Sequence, residues 1–425
     1  MKKLARFLCC LMIATSLLLF DINFAYASSD FPNTNGKAVI LMDFSSGRVL
    51  YERNSNQQLP PASLTKIMTG LLVVENGNLD QKVIISEYAA SIPESTVYLE
   101  PNEILTRMEL LYAAMLPSAN DACTALAESI AGSEAAFINK MNRRVQQLGL
   151  KNTNFVNPHG LHDQEHYSTA YDLAMITREA LKNPVFTEVV STKRTVIPWE
   201  SREDEDRILL NQNRLLSRYE GAIGVKTGYT KQAGNCVVGA AQRGSTILIA
   251  VSMNSPTVYD DLQQMLDYGF NNYKTLTVGN AEEISGEIKV KGGEFPTVKV
   301  EPKEELKVAV TDEEALYLTY IVNFESGVQA PIKKGDVLGT CELYIKDNHI
   351  KSIDMIASQN IDIKQSVIKT IVSSSQESLS SKWSTILGLA VLFIGYLNRK
   401  KLEDGLKRVL LYLLRNHIPN QTKKF

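Results

Sequence analysis

Apolar and polar positions follow several distinct rhythms along the chain, and each rhythm predicts a different kind of element. A continuous apolar run over residues 7–20 follows Lys2, Lys3 and Arg6 and leads to Ala25-Tyr26-Ala27, the layout of a cleavable secretory signal spanning 1–27. Over 38–52 the pattern has period two around Ser45-Ser46-Gly47, which predicts a β-hairpin. Leu64, Ile67, Met68, Leu71 and Leu72 then recur at helical spacing until Asn76-Gly77. Pro60 and Pro61 fit in or just before the first turn of that helix, where a missing N–H loses no partner.

Helical periodicity returns over 107–116, 118–130, 134–148 and 169–181. Between the first two, Leu116-Pro117-Ser118 breaks one helix and opens the next, with Ser118 able to cap it. Residues 200–207 form an acidic polar stretch that reads as a solvated loop. Residues 221–230 read as a strand with glycines where something must approach the backbone, and 236–243 with 246–253 as a hairpin around Gly244-Ser245. A helix over 259–273 closes this region. Short alternating segments follow, among them 283–290, 297–300, 306–310 and 337–345, with turns at Gly292-Gly293 and Lys334-Gly335-Asp336. The expected architecture is α+β: a catalytic domain of helices with an antiparallel sheet over 28–273, and a small all-β domain over 274–370.

The end of the chain changes character. A Ser-rich linker occupies 371–382, an almost wholly apolar segment 383–398 and a basic amphipathic tail 399–425. At ~1.5 Å per residue the apolar segment is short for a ~30 Å hydrocarbon core, yet Trp383 at one end and Arg399, Lys400 and Lys401 at the other suit a single span. Leu402, Leu406, Val409, Leu410, Leu413 and Leu414 line one face of a helix suited to a membrane surface. The competing arrangement lays both segments flat on the outer surface. Either one tethers the protein to the outer, extracytoplasmic face of the cell membrane.

Composition narrows the function. The net charge is -2, and loss of the signal with Lys2, Lys3, Arg6 and Asp21 leaves about -4, so no nucleic-acid partner is expected. After removal of Cys9 and Cys10 with the signal, Cys123, Cys236 and Cys341 are too few and scattered for a disulfide framework. Cys123 and Cys236 lie in apolar surroundings and read as buried thiols. His159, His162 and His166 have a metal-like spacing, but in a loop with Pro158 and Gly160 that spacing does not share a face, so no metal or cofactor is expected.

Candidate chemistry starts at Ser63 and Lys66, three apart at a helix start. A serine hydroxyl needs a base, and a desolvated lysine can lose its proton and serve. The pair alone does not decide between a catalytic and a structural reading, and Ser366 and Lys369 repeat it in an alternating stretch with no helix start, where it reads as structural. Its company is informative: Ser63-x-x-Lys66, Ser118-x-Asn120 and Lys226-Thr227-Gly228 occur in the order of the motif trio of penicillin-binding proteins and class A β-lactamases.

Pro61 to Lys66, Asn157-Pro158-His159-Gly160-Leu161, Ser168 to Leu173 and Gly224 to Thr230 extend the likeness. The chain resembles the low-molecular-mass penicillin-binding proteins of the serine D-alanyl-D-alanine carboxypeptidase family, from about Lys37 into the second domain. The resemblance implies that Ser63 attacks the carbonyl between the terminal D-alanines of a peptidoglycan stem peptide, with Lys66 as base. Ser118 would relay a proton to the leaving D-alanine, Asn120 would hold the substrate amide, and the N–H groups of Ser63 and Tyr229 would form the oxyanion hole. Lys226 and Thr227 would bind the terminal carboxylate, within a substrate-binding stretch that includes Gly228, Tyr229 and Thr230. Lys226 is also the candidate second cation that would depress the pKa of Lys66. β-Lactam antibiotics would be covalent inhibitors.

Two departures accompany the likeness. Ala119 stands where the family more often has glycine, and Ser255-Pro256-Thr257-Val258 stands where it often has an arginine that helps bind the carboxylate. A β-lactamase-like hydrolase, or a non-catalytic scaffold binding cell-wall peptides, are the alternatives. The second domain and tail oppose the first, and the intact trio opposes the second.

Overall fold

The computed structural model describes residues 31–199, 201–202 and 205–365, and in the tail 388–393, 396, 399–400 and 403–411. The signal at 1–27, the linker at 371–382, Ser366 with Lys369, and much of the apolar segment at 383–398 lie outside the described residues. Two compact units are present. One holds residues up to 278 with 305–320 and 342–351; the other holds 279–304, 321–341 and 352 onward.

In the first unit, β1 (Ala38–Asp43) and β2 (Val49–Arg53) form the expected hairpin. A 3-10 turn, Ala62–Thr65, runs into α1 (Lys66–Asn76). Helices α2 (Arg107–Met115), α3 (Asn120–Ala131), α4 (Glu134–Gln147), α5 (Ala170–Leu181) and α6 (Pro184–Ser191) follow. Then come β3 (Ala222–Thr230), β4 (Gly234–Arg243), β5 (Thr246–Met253) and α7 (Val258–Asn272). The strands form one antiparallel sheet in the order β2-β1-β5-β4-β3, so β3 is a terminal strand.

The sheet is buried on both faces, which explains why β1 and β5 are near-continuous apolar runs. Ala38, Ile40 and Met42 of β1 point into a core shared with Leu64, Ile67, Met68, Leu126, Phe137 and Phe186. Val39 and Leu41 point the other way, against Leu262, Met265 and Leu266 of α7. Each such fully buried side chain is worth ~1.5–3 kcal/mol relative to exposure. Leu64 and Ile67 therefore weld the 3-10 turn and the start of α1 to the core immediately after Ser63.

Two sequence expectations are corrected here. Ser118 does not cap α3: Ala119 holds the N-cap position without a side-chain cap, and Ser118 adopts φ 70°. The chain must turn sharply at Ser118 to leave α2 and enter α3, and the left-handed conformation aims its side chain elsewhere. Arg207 is not part of a solvated loop. Residues Arg194–Ile197 and Arg207–Leu210 pair as an antiparallel ribbon, and the Arg207 guanidinium is buried against Glu103, the carbonyls of Tyr98 and Pro198, and the ring of Trp199. Helix α6 was not foreseen either, although Asn183 caps it and Pro184 occupies its first turn, a recognisable start signal.

The second sheet comprises β6 (Gly286–Lys289), β7 (Thr297–Pro302), β8 (Leu318–Phe324), β9 (Val337–Ile345) and β10 (Asn348–Ala357) in the order β6-β7-β10-β9-β8. The expected strand at 283–290 begins only at Gly286, because Asn280 and Glu283 form a capping box over the helical turn Ala281–Ile284. The expected strand at 306–310 exists, but Lys307–Val310 pairs with Lys274–Thr277, outside that sheet. Among the described residues no helix is long and apolar enough to cross a membrane.

Candidate active site

Ser63 lies in the 3-10 turn at the head of α1, one residue after Ala62, whose φ is 48°. Thr65 Oγ1 donates to the Ala62 carbonyl at 2.8 Å, which stabilises that unusual backbone. One helical turn on, Lys66 is fully buried. Its ammonium donates to Ser63 Oγ at 3.1 Å, to Asn120 Oδ1 at 2.7 Å and to the His159 carbonyl at 2.7 Å. Three protons meet three acceptors, one of them the Ser63 hydroxyl.

Asn120 is fixed from the other side. Its Nδ2 donates to the Pro93 carbonyl at 2.9 Å and its backbone N–H to the Ser95 carbonyl at 2.6 Å. The next residue, Asp121, is buried and accepts the N–H groups of Leu99 at 3.1 Å and Val97 at 3.2 Å. Asp121 thereby ties the loop after Pro93 to the head of α3. The left-handed turn at Ser118 buries its hydroxyl with no hydrogen-bond partner among the described residues.

The terminal strand β3 brings the third motif. A Cβ at Gly228 would lie 2.9 Å from the Ser63 nitrogen and 3.2 Å from Leu64 N, closer than side chains tolerate. Glycine is required there so that β3 can pass beside Ser63. Lys226 is buried, and its ammonium reaches the Thr227 carbonyl at 3.1 Å. Thr227 is half-buried, Tyr229 is exposed, and Thr230 Oγ1 accepts the Ala233 N–H at 3.0 Å. The structure therefore brings Ser63, Lys66 and Asn120 into direct contact, with Gly228 packed on Ser63.

Electrostatics suit proton transfer. Burial lowers the Lys66 pKa to about 8, although the thiol of Cys123 and the carboxylates of Asp121 and Glu94 oppose the shift. Burial, followed by the charge on Lys66, lowers Lys226 to about 7. Desolvation is the main cause at both lysines, and the repulsion between their two charges, being mutual, belongs to the pair. Cys123, Cys236 and Cys341 are buried thiols, and burial pushes Cys123 and Cys236 up to about 11.

The loop containing the three histidines has a structural part in the site. The His159 carbonyl holds Lys66, the Pro158 carbonyl accepts Thr69 Oγ1 at 2.6 Å, and Gly160 packs its backbone on the Ala62 carbonyl. His166 is buried and contacts Thr65. Where an arginine was noted as missing, the Ser255 hydroxyl accepts Thr257 N–H and Thr257 Oγ1 accepts Asn35 Nδ2. Sequence reasoning missed Thr65, Asp121 and His166; all three are polar residues inside apolar helical or loop contexts, and only burial distinguishes them.

Residues 25–257 match the family described as D-alanyl-D-alanine carboxypeptidase, and residues 273–362 match the penicillin-binding protein 5 C-terminal domain. The chain is 36% identical to the D-alanyl-D-alanine carboxypeptidase DacF of Bacillus subtilis (strain 168), covering 85% of this chain and 95% of that relative. It is 31% identical to DacC of Escherichia coli (strain K12), covering 78% and 85% respectively. Among solved structures, penicillin-binding protein 5 from Haemophilus influenzae superposes with a TM-score of 0.63 at 29% identity, over 78% of this chain and 98% of that one. With the family match spanning more than half of the chain, and with the serine, lysine and asparagine in contact, the chain belongs to the D-alanyl-D-alanine carboxypeptidase family, as a low-molecular-mass penicillin-binding protein.

Proposed function

We propose that Ser63 is the nucleophile of a D-alanyl-D-alanine carboxypeptidase acting on peptidoglycan stem peptides, with Lys66 as its base. The observation that carries this reading is the 3.1 Å contact between Lys66 Nζ and Ser63 Oγ, made by a lysine whose burial lowers its pKa to about 8. At pH 7 roughly a tenth of such lysines are neutral, enough to accept a proton as the serine attacks. Ser63 Oγ forms a bond to the carbonyl carbon between the two D-alanines, and its proton passes to Lys66. The N–H groups of Ser63 and Tyr229 receive the resulting oxyanion, since β3 lies against Ser63 at Gly228.

Collapse of that intermediate breaks the bond to the terminal D-alanine, whose amine takes a proton relayed through the Ser118 hydroxyl. Asn120 holds the substrate amide, while Lys226 with Thr227 and Thr230 receives the terminal carboxylate. Water then attacks the acyl-enzyme, Lys66 again serving as base, and releases the shortened peptide. A β-lactam follows the first half of this path and stays attached. The test is to incubate the protein with a diacyl-Lys-D-Ala-D-Ala peptide and with penicillin. D-Alanine release with a long-lived adduct mapped to Ser63 supports the reading; fast penicillin turnover without D-alanine release overturns it.

The place of action we infer is the outer face of the cell membrane, after export and cleavage of the signal. Among the described residues, exposed Leu406, Val409 and Leu410 beside Lys407 and Arg408 support a surface-binding tail. A chain ending at residue 382 that still sedimented with membranes would contradict attachment through the tail.

A further inference from the structure

The nucleophile's turn is held by a chain of hydrogen bonds that begins 101 residues away, in His166. The Val156 N–H donates to His166 Nδ1 at 3.0 Å, so that nitrogen carries no proton. In the neutral ring the proton is then on Nε2, which lies 2.7 Å from Thr65 Oγ1 and donates to it. The Thr65 hydroxyl, with its acceptor side engaged, directs its own proton to the Ala62 carbonyl at 2.8 Å. Every proton in this relay has one possible position. It ends on the peptide unit that joins Ala62, at φ 48°, to Ser63.

We propose that His166 is a positioning residue for Ser63, acting through the Thr65 hydroxyl to fix the Ala62–Ser63 peptide and with it the Ser63 amide and hydroxyl. This rests on the reading of Ser63 as nucleophile. Ala62 has a Cβ and would relax toward negative φ if its carbonyl were released, because the left-handed region is unfavourable for residues other than glycine. That rotation would swing the Ser63 N–H, the proposed oxyanion donor, and carry Ser63 Oγ away from Lys66. The rest of the loop is anchored independently. Asn154 and Tyr167 exchange backbone hydrogen bonds at 2.9 and 3.1 Å, and Ser168 does the same with Leu59, so the imidazole rather than the loop closure bears on Thr65. The Phe155 ring, 5.6 Å from the imidazole, excludes competing polar partners on one side. Burial holds the His166 pKa down at about 4, which keeps the ring in the neutral form that the relay needs.

The test compares the full chain with Thr65→Val, Thr65→Ser, His166→Phe and His166→Gln in single-turnover acylation by benzylpenicillin. Thr65→Val and His166→Phe should slow the acylation step roughly a hundredfold, with the preceding non-covalent affinity changed by no more than about twofold. Thr65→Ser, which keeps the hydroxyl, should remain within about threefold of the wild type, and His166→Gln, which keeps an N–H donor, should fall between. Wild-type acylation in Thr65→Val, or Thr65→Ser as slow as Thr65→Val, would overturn the relay, and so would equal losses of rate and affinity. Should a valine at 65 prevent folding, the contrast between Thr65→Ser and His166→Gln decides. Failure of the wild type to label at Ser63 would instead remove the nucleophile reading, which is a separate result.

Discussion

Lys66 donates to the backbone carbonyl of His159 at 2.7 Å, a bond between residues 93 apart in the sequence. Because that acceptor is backbone, this part of the Lys66 anchor follows the path of the loop, beside the side-chain contacts to Asn120 and Ser63. The same loop touches the nucleophile's turn through Gly160, which has φ 94° and no room for a Cβ against the Ala62 carbonyl. Gly160→Ala should therefore displace both the lysine anchor and the serine turn. We expect a loss of about 2–4 kcal/mol in stability and a roughly hundredfold drop in acylation rate. Denaturant unfolding and stopped-flow acylation would measure these; unchanged acylation would show that the contact is slack.

A second expectation concerns the coupling of the two lysines. Burial depresses both, Lys66 to about 8 and Lys226 to about 7, and each charge disfavours the other. With an uncharged thioester substrate, the acylation rate should rise through a midpoint near pH 8, and Lys226→Gln, which removes the repulsion, should move that midpoint to higher pH. A midpoint left in place would mean that desolvation alone accounts for a neutral Lys66.

Burying a lysine has a stability cost with a definite pH dependence. Lys226 has an ordinary pKa of 10.5, held down to about 7 in the fold. Between those values the unfolded chain binds a proton that the native protein has shed, so stability rises with pH; below about 7 both states are charged and the native state bears the full penalty. Lys226→Met removes it, with only the weak 3.1 Å bond to the Thr227 carbonyl lost. The melting temperature should rise by roughly 3–6 °C at pH 6, with the gain shrinking toward pH 10, while peptide hydrolysis is lost. Scanning calorimetry across that range would check the slope.

The histidines impose an acid limit of the same sign. Burial holds His159 at about 3 and His166 at about 4, against an ordinary 6.5. As pH falls from 6.5 toward 4 the unfolded chain takes up protons that the native rings refuse, so stability declines over that window. His166→Gln should flatten the decline, measured as the urea midpoint between pH 4 and 7. An unchanged slope would place the acid sensitivity elsewhere.

The three motifs were legible because each is local: a serine and lysine one helical turn apart, a serine and asparagine at a helix head, and a strand whose glycine admits a close neighbour. Most helices and the sheet strands of the first unit followed from period alone. The misreadings share a cause. Arg207 looks solvated beside Glu205 and Asp206, and only the fold brings Glu103 to it across 104 residues. Ser118 has the composition of a cap, but the reversal of chain direction between α2 and α3 forces it out of the capping conformation. Thr65 and His166 carry no periodic signal, since their partners come from distant segments and their function depends on where protons sit.

The fold keeps the Lys66 and Lys226 side chains from water, which is costly while they carry charge. A ligand that presents a carboxylate to Lys226 offsets part of that cost, and binding to the native state alone raises the melting point by mass action. Heat resistance thus becomes a label-free readout of site occupancy, able to rank peptides and β-lactams by how tightly they hold the native state.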